Sequence, residues 1–361
     1  MYDYSRQIDA FHDDKVVLSK WLSDRLVAHR AANEDRLIAR LPQLKEGVRV
    51  SGGSFKSQGS FAMKTIIQTK FDNEEYDIDD GVVLWRADLR DKDGGDMTPA
   101  ATKELARVAL KDSRFKRQPQ TKKNCVRVFY AEEDEEKHHV DFPIYRKWQD
   151  SEGEDSAIRR QLAGETEWTD SDPTRVNIWF EEQITALNAK REGAGTLLRR
   201  CIRLLKRFCR SRSDWGMPNG LKLTMLAVEC FSPADRVDVT FRELLRSVDR
   251  RLKANLEVEN LADEGSPKAK LTKSKADPNM VQLRDRTSEA LGKLEVLDTA
   301  DCDKAAARAV WDWVFRTDEY FADYDGAGGD DDKGGSRALD KGLAATAPTR
   351  PVDPHGGGRY G

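Results

Sequence analysis

The chain lacks the marks of a membrane or exported protein. No apolar run approaches the roughly 18 residues a membrane span needs. The opening MYDYSRQIDAFHDDK carries acids where a signal peptide has a basic and then an apolar start, so a soluble, cytoplasmic protein is expected. Cysteine is scarce. The five present (Cys125, Cys201, Cys209, Cys230, Cys302) are odd in number and form no C-x-x-C pair, which disfavours a disulfide framework or a cysteine zinc site. H-E-x-x-H and G-x-x-x-x-G-K-[ST] are both absent, which removes the zincin and Walker A chemistries. Net charge is also lacking, since 61 Lys+Arg face 64 Asp+Glu and leave −3. That balance excludes a polybasic DNA binder but leaves room for a local basic cleft holding an anion.

What the chain does have is length and charge. Its 361 residues suggest two domains, and 35% are charged. Residues 4–41 carry an amphipathic stripe (Ile8, Phe11, Leu18, Trp21, Leu22, Leu26, Leu37, Ile38, Leu41) that predicts one long helix, roughly 57 Å at 1.5 Å per residue, stopped by Pro42. Short alternating strands follow: VRVSGGSF, YDIDDGVVLW, NCVRVFY and HHVDFPIY, with a helix at Pro99–Leu110. His138–His139 follow the acidic run 132–136. A metal site there competes with a solvated loop leading into a strand, and the opposite facing of adjacent strand residues favours the loop. After about Trp168 the pattern is helical throughout, with connectors at Gly216–Pro218, Pro233 and Ser266–Pro278. From Asp325 onward 10 of the 25 glycines and 3 of the 12 prolines crowd into 37 residues, which predicts a disordered tail. No internal repeat is visible.

The chemistry concentrates in three short segments. Asp77 and Asp79, two apart in a strand, project to one face, while Ile78, Val82 and Leu84 turn to the other with Asp80. Asp141, between Val140 and Phe142, faces away from the apolar side of a second strand. If the two strands pair, three carboxylates converge. Each unneutralised pair at about 5 Å and an effective dielectric near 20 costs about 3 kcal/mol. Oxygen-only ligation of that kind suits Mg²⁺ or Mn²⁺. Two such ions would bridge a triphosphate and stabilise leaving pyrophosphate. Gly59-Ser60, expected at the start of a helix FAMKTII, offers backbone N–H groups and a hydroxyl to phosphate. Either motif alone is common by chance; their ordered combination is far more specific.

That combination resembles the polymerase-β-like nucleotidyltransferases. More narrowly, SQGSFAMKT (57–65), DIDDGVVL (77–84) and HVDFPIY (139–145) look like the DncV-like branch of the cGAS/DncV-like nucleotidyltransferases of bacterial CBASS anti-phage operons. The long first helix resembles that family's spine helix. LLRRCIRLLKRF (197–208) and LKLTMLAVECF (221–231) resemble its oligoadenylate-synthase-like helical domain. Sixteen residues separate Ser60 from Asp77, a longer gap than in the wider superfamily. No zinc-binding insertion of the animal enzymes is present, so DNA sensing is not implied.

The resemblance implies an α+β fold. A catalytic core with a mixed sheet and spine helix would occupy residues 1–165, a helical domain 166–325 and a Gly-rich tail 326–361. It makes Asp77, Asp79 and Asp141 the ligands of two Mg²⁺ (or Mn²⁺) ions. Gln58, Gly59 and Ser60 would hold the donor triphosphate. Lys206 falls where relatives place a lysine on that triphosphate, and a surface basic residue beside Arg203 and Arg207 is the competing reading. Lys64 and Lys222 are weaker candidates. The run Lys111, Arg114, Lys116, Arg117, Lys122, Lys123 reads as a solvated basic loop before it reads as a nucleotide or RNA channel. The implied activity is synthesis of a cyclic dinucleotide from ATP and GTP, acting through a downstream effector. Terminal Gly361 is a candidate conjugation site for an E1/E2-like enzyme. Competing readings are a linear nucleotidyltransferase acting on RNA 3′ ends or protein, and a catalytically minor nucleotide-binding or conjugation partner.

Overall fold

The structure, a computed structural model, describes residues 1–68, 76–130, 138–149 and 157–327. The acidic run 132–136 and nearly all of the tail, Gly361 included, lie outside them.

The N-terminal stripe forms two helices instead of one. Helix α1 (Ser5–Phe11) runs into a π-helical turn (His12–Val16), the chain extends at Val17, and α2 (Lys20–Leu44) begins afresh. Two local causes are visible. Val17 bridges to Ile67, which pulls the backbone out of helix, and Ser19 caps α2 by accepting the Leu22 N–H at 3.3 Å. Pro42 lies inside α2 and does not stop it; the helix ends only at Leu44. Trp21, expected on the buried stripe, is 59% exposed.

Nor does VRVSGGSF form a strand throughout. Gly52–Ser54 is a 3₁₀ turn, and only Phe55–Gln58 (β1) is extended. One helical turn, α3 (Gly59–Ala62), replaces the longer helix expected of FAMKTII. Strand β2 (Tyr76–Trp85) follows, and α4 occupies Pro99–Leu110 with Thr98 as cap and Pro99 in its first turn. The remaining strands are β3 (Gln120–Thr121), β4 (Val126–Tyr130), β5 (His138–Phe142), β6 (Ile144–Gln149), β7 (Ile158–Ala163) and β8 (Trp168–Asp170).

The hydrogen-bonded path through the sheet is β3-β4-β5-β2-β6-β7-β8, with β1 also on β2. Both β5 and β6 run parallel to β2 at an unchanged register, Tyr76 opposite His138 and Val82 opposite Ile144. They are two halves of one line of chain broken at Pro143, which has no N–H to donate, although its carbonyl still accepts from Val82 at 2.8 Å. Strand alternation on β2 puts Tyr76, Ile78, Val82 and Leu84 into a core shared with Leu22, Leu26, Leu37 and Leu41 of α2 and with Ala106, Ala109 and Leu110 of α4. The opposite face, bearing Asp77 and Asp79, is left for chemistry.

Helices make up the rest: α5 (Arg175–Lys190), α6 (Ala194–Cys209), α7 (Gly220–Cys230), α8 (Val237–Ala254), α9 (Pro278–Leu294), α10 (Lys304–Phe315) and α11 (Tyr320–Ala327). Their core takes in Tyr4, Ile8, Phe11 and Val16 from the N-terminus, and Met63 and Ile67 from the segment after β1. The first sixteen residues thus pack with the helical half, while α2 packs on the sheet. No helix among the described residues is long and apolar enough to cross a membrane.

Candidate active site

A cleft of about 430 Å³ lies where sheet and helices meet. Gln58, Gly59, Ser60, Asp77 and Asp79 line one side, with Tyr145 and Asn177; Lys206, Arg210 and Asn219–Leu221 line the other. The register of the sheet builds the acidic wall. Asp79 sits opposite Gln58 on β1 and opposite Asp141 on β5, and Asp77 sits opposite His139. Three carboxylates expected to converge are therefore on adjacent strands. Burial first, then Asp77 and Asp141, push the Asp79 carboxyl up to about 7, with Arg127 opposing.

Asp141 is engaged differently from the expected ligand. Arg127, its neighbour on β4, grips it as a fork, Nε donating to Oδ1 and a terminal N–H to Oδ2, each at 2.8 Å. Among the described residues no group of three His, Cys, Asp and Glu side chains stands ready to hold a metal ion. The crowded, oxygen-only Asp77–Asp79 pair fits a hard divalent cation. The third carboxylate, Asp141, is shared with Arg127, whose two bonds leave a lone pair on each oxygen for such a cation.

Gly59 explains itself by geometry. Its φ is +67°, and a Cβ there would stand 2.2 Å from Asp79 Oδ2, so only glycine brings the backbone this close to the carboxylate. The Gln58 Oε1 accepts from the Tyr145 hydroxyl at 3.1 Å, while its buried Nε2 has no partner. That leaves a donor without an acceptor at the cleft wall. Asn177 of α5 ties the cleft's rim to β1 by donating to the Ser57 carbonyl at 2.8 Å.

Lys206 on α6 is 5% exposed, so the surface reading fails. Its Nζ donates to the Thr65 carbonyl at 2.9 Å and to Thr65 Oγ1 at 3.0 Å, leaving one of three N–H donors over. Burial and the neighbouring Arg210 press it down to about 7, with Asp77 acting the other way. Lys222 does not join the cleft lining. It points the other way, pairing with buried Asp277 at 3.3 Å. Lys64 is likewise absent from the lining; its carbonyl is held by Arg203 at 2.6 and 3.0 Å, with φ at +56°. The basic loop stays outside the cleft too, with Arg114 on Asp112 and Arg117 over the Phe129 ring.

The two histidines do not lie in a loop; both are buried within β5. His138 Nε2 meets His29 Nδ1 of α2 at 2.6 Å, in a stack that includes Tyr130. His139 shares the carboxylate face, 3.9 Å from Asp141. Sequence reasoning missed Arg127, Tyr145, Asn177, Arg210 and Asn219. Tyr145 closes the HVDFPIY segment, so that motif held the one available signal; the others are brought in by pairing and packing alone.

Residues 53–145 match the family model "Cyclic GMP-AMP synthase DncV-like, nucleotidyltransferase domain". Among solved structures, the chain is similar to Vibrio cholerae DncV cyclic AMP-GMP synthase in complex with nonhydrolyzable GTP, at TM-score 0.66 and 18% identity, covering 88% of this chain and 96% of that one. The Vibrio cholerae enzyme with the linear intermediate 5′ pppA(3′,5′)pG gives 0.65 at 18%, covering 88% and 97%. Escherichia coli DncV in a 3′-deoxy GTP bound form gives 0.61 at 20%, covering 84% and 93%. At such identities the likeness is one of fold. No curated protein matches the chain by sequence. The fold and the matched segment define the class, which is a nucleotidyltransferase. The matched segment, which includes Gln58 through Tyr145, is similar to the nucleotidyltransferase domain of the DncV-like synthases.

Proposed function

We propose that the protein condenses ATP and GTP into a cyclic dinucleotide of the cGAMP kind, with Mg²⁺ or Mn²⁺ as cofactor. The carrying observation is the juxtaposition of the Asp77–Asp79 pair with Gly59-Ser60 on one wall and Lys206 on the other. In each round a ribose hydroxyl of the acceptor attacks the donor's α-phosphorus. A phosphodiester O–P bond forms, the bond to the β-phosphate bridging oxygen breaks, pyrophosphate leaves with the electron pair, and the hydroxyl proton passes to the carboxylate cluster. Bound divalent ions would neutralise the triphosphate and make the hydroxyl a stronger nucleophile. The chain's own residues orient the substrate: Ser60, Gln58 Nε2 and the remaining Lys206 N–H are the phosphate donors, and Met63, Ile66, Val176 and Leu221 give the cleft apolar surface for a base.

The resemblance supports a signalling role in anti-phage defence, read by a downstream effector, with Gly361 as a candidate substrate of an E1/E2-like conjugating enzyme. The test is incubation with Mg²⁺ and α-labelled ATP and GTP followed by phosphatase. A phosphatase-resistant small product with both bases supports the proposal; label only on RNA ends or on protein overturns it in favour of linear transfer.

A further inference from the structure

Beyond Lys206 the cleft opens into a second cavity of about 280 Å³. It shares Lys206, Arg210, Asn219 and Gly220 with the active site and continues past Arg212, Ser213 and Trp215. Among the described residues three cationic side chains, an amide and a hydroxyl line it, and no carboxylate does. Asp214 and Glu289 stand near Arg212, together with Arg286 and Arg316, but none of these four borders the cavity.

The cations differ in freedom. Arg212 is fixed, its guanidinium 4.4 Å from the centres of both Trp215 and Trp313 and bonded to the Trp313 carbonyl at 2.6 Å. Lys206 is anchored on Thr65. Arg210, one turn after Lys206, is exposed, and its side chain is given no hydrogen bond or ion pair by the described residues. A free guanidinium between an active site and a cavity lined by positive charge alone is suited to a small polyanion leaving the first for the second.

We propose that this side pocket, with Arg210 at its mouth, takes up the pyrophosphate released from the donor nucleotide; the idea rests on the nucleotidyl-transfer reading. Inorganic pyrophosphate is the probe, and the full chain is the sample. In Arg210→Gln, inhibition of turnover by added pyrophosphate weakens about tenfold, as expected for one lost charge-assisted contact, while the nucleotide KM moves less than threefold. Arg210→Lys restores most of the inhibition. Unchanged inhibition overturns the proposal. So does a parallel rise in KM, which would place Arg210 on the bound triphosphate instead. Calorimetric titration of pyrophosphate into resting wild type and Arg210→Gln decides the pocket even if wild type turns over no nucleotide: weaker binding to the variant supports it and equal binding refutes it. Absence of wild-type turnover would instead remove the transfer reading.

Discussion

Asp79 joins stability and chemistry in one side chain. Its carboxyl is held up at about 7 by burial, Asp77 and Asp141, against an ordinary value of 3.8. A carboxyl raised in the folded state binds more protons folded than unfolded. Its stabilising contribution is therefore full below pH 3.8 and is lost as pH rises through about 7. Without divalent ions, Asp79→Asn should melt several degrees above wild type at pH 8 and show little difference at pH 4, read by thermal denaturation. The same variant should lose nucleotidyl transfer by about a thousandfold or more, near 4 kcal/mol of barrier; retained turnover would remove Asp79 from the machinery. Gly59→Ala should also be nearly inactive, because its Cβ meets Asp79 Oδ2 and its φ of +67° is strained for alanine. The acids were legible from the sequence because alternation in a strand is local. Arg127's grip on Asp141 was not, since it depends on which strand lies beside β5.

Helix α2 is the element that holds the sheet's back. Asp80 of β2, 1% exposed, meets Glu34 of α2, and burial with that second carboxylate pushes it up to about 8. Arg30 pairs with Glu34 at 3.1 Å and does not fully cancel the repulsion. By the same sign argument the Asp80 contribution is lost as pH climbs from about 4 through 8. Glu34→Gln should flatten that decline, measured as denaturation midpoint against pH; an unchanged slope would mean the pair carries no coupling. The amphipathic stripe foretold helix over most of residues 5–44, yet not the break at Val17. That break depends on a bridge to Ile67, fifty residues away, which no periodicity records.

Across the whole molecule two apolar cores meet at the segment after β1. Phe61 and Ile66 pack toward the sheet core, Met63 and Ile67 toward the helical one, so the helical turn carrying Ser60 is pinned from both sides. The N-terminus strengthens the helical side: Tyr4 meets Phe321 edge-on, Phe11 packs tilted against Phe315, and the Tyr4 N–H reaches buried Asp238 at 3.0 Å. Deleting residues 1–17 should lower the melting temperature by more than about 10 °C or leave the protein insoluble, because four fully buried apolar side chains leave one core at roughly 2–5 kcal/mol each. A truncated chain that melts like the full one would show that the helical half does not need them.

The sequence by itself determined most of the helices and the central strands, that Asp77 and Asp79 share a face, and that Asp141 stands apart on another strand. These follow from periods of 2 and 3.6 residues, which are properties of neighbouring positions. Only the tertiary structure decided where the cations around the cleft are placed. Lys206 and Arg210 face it, Lys222 is spent on Asp277, and Arg127 closes on Asp141. A lysine's or arginine's reach is indifferent to its own helix or strand, so its partner is chosen by whatever packing brings within hydrogen-bonding distance.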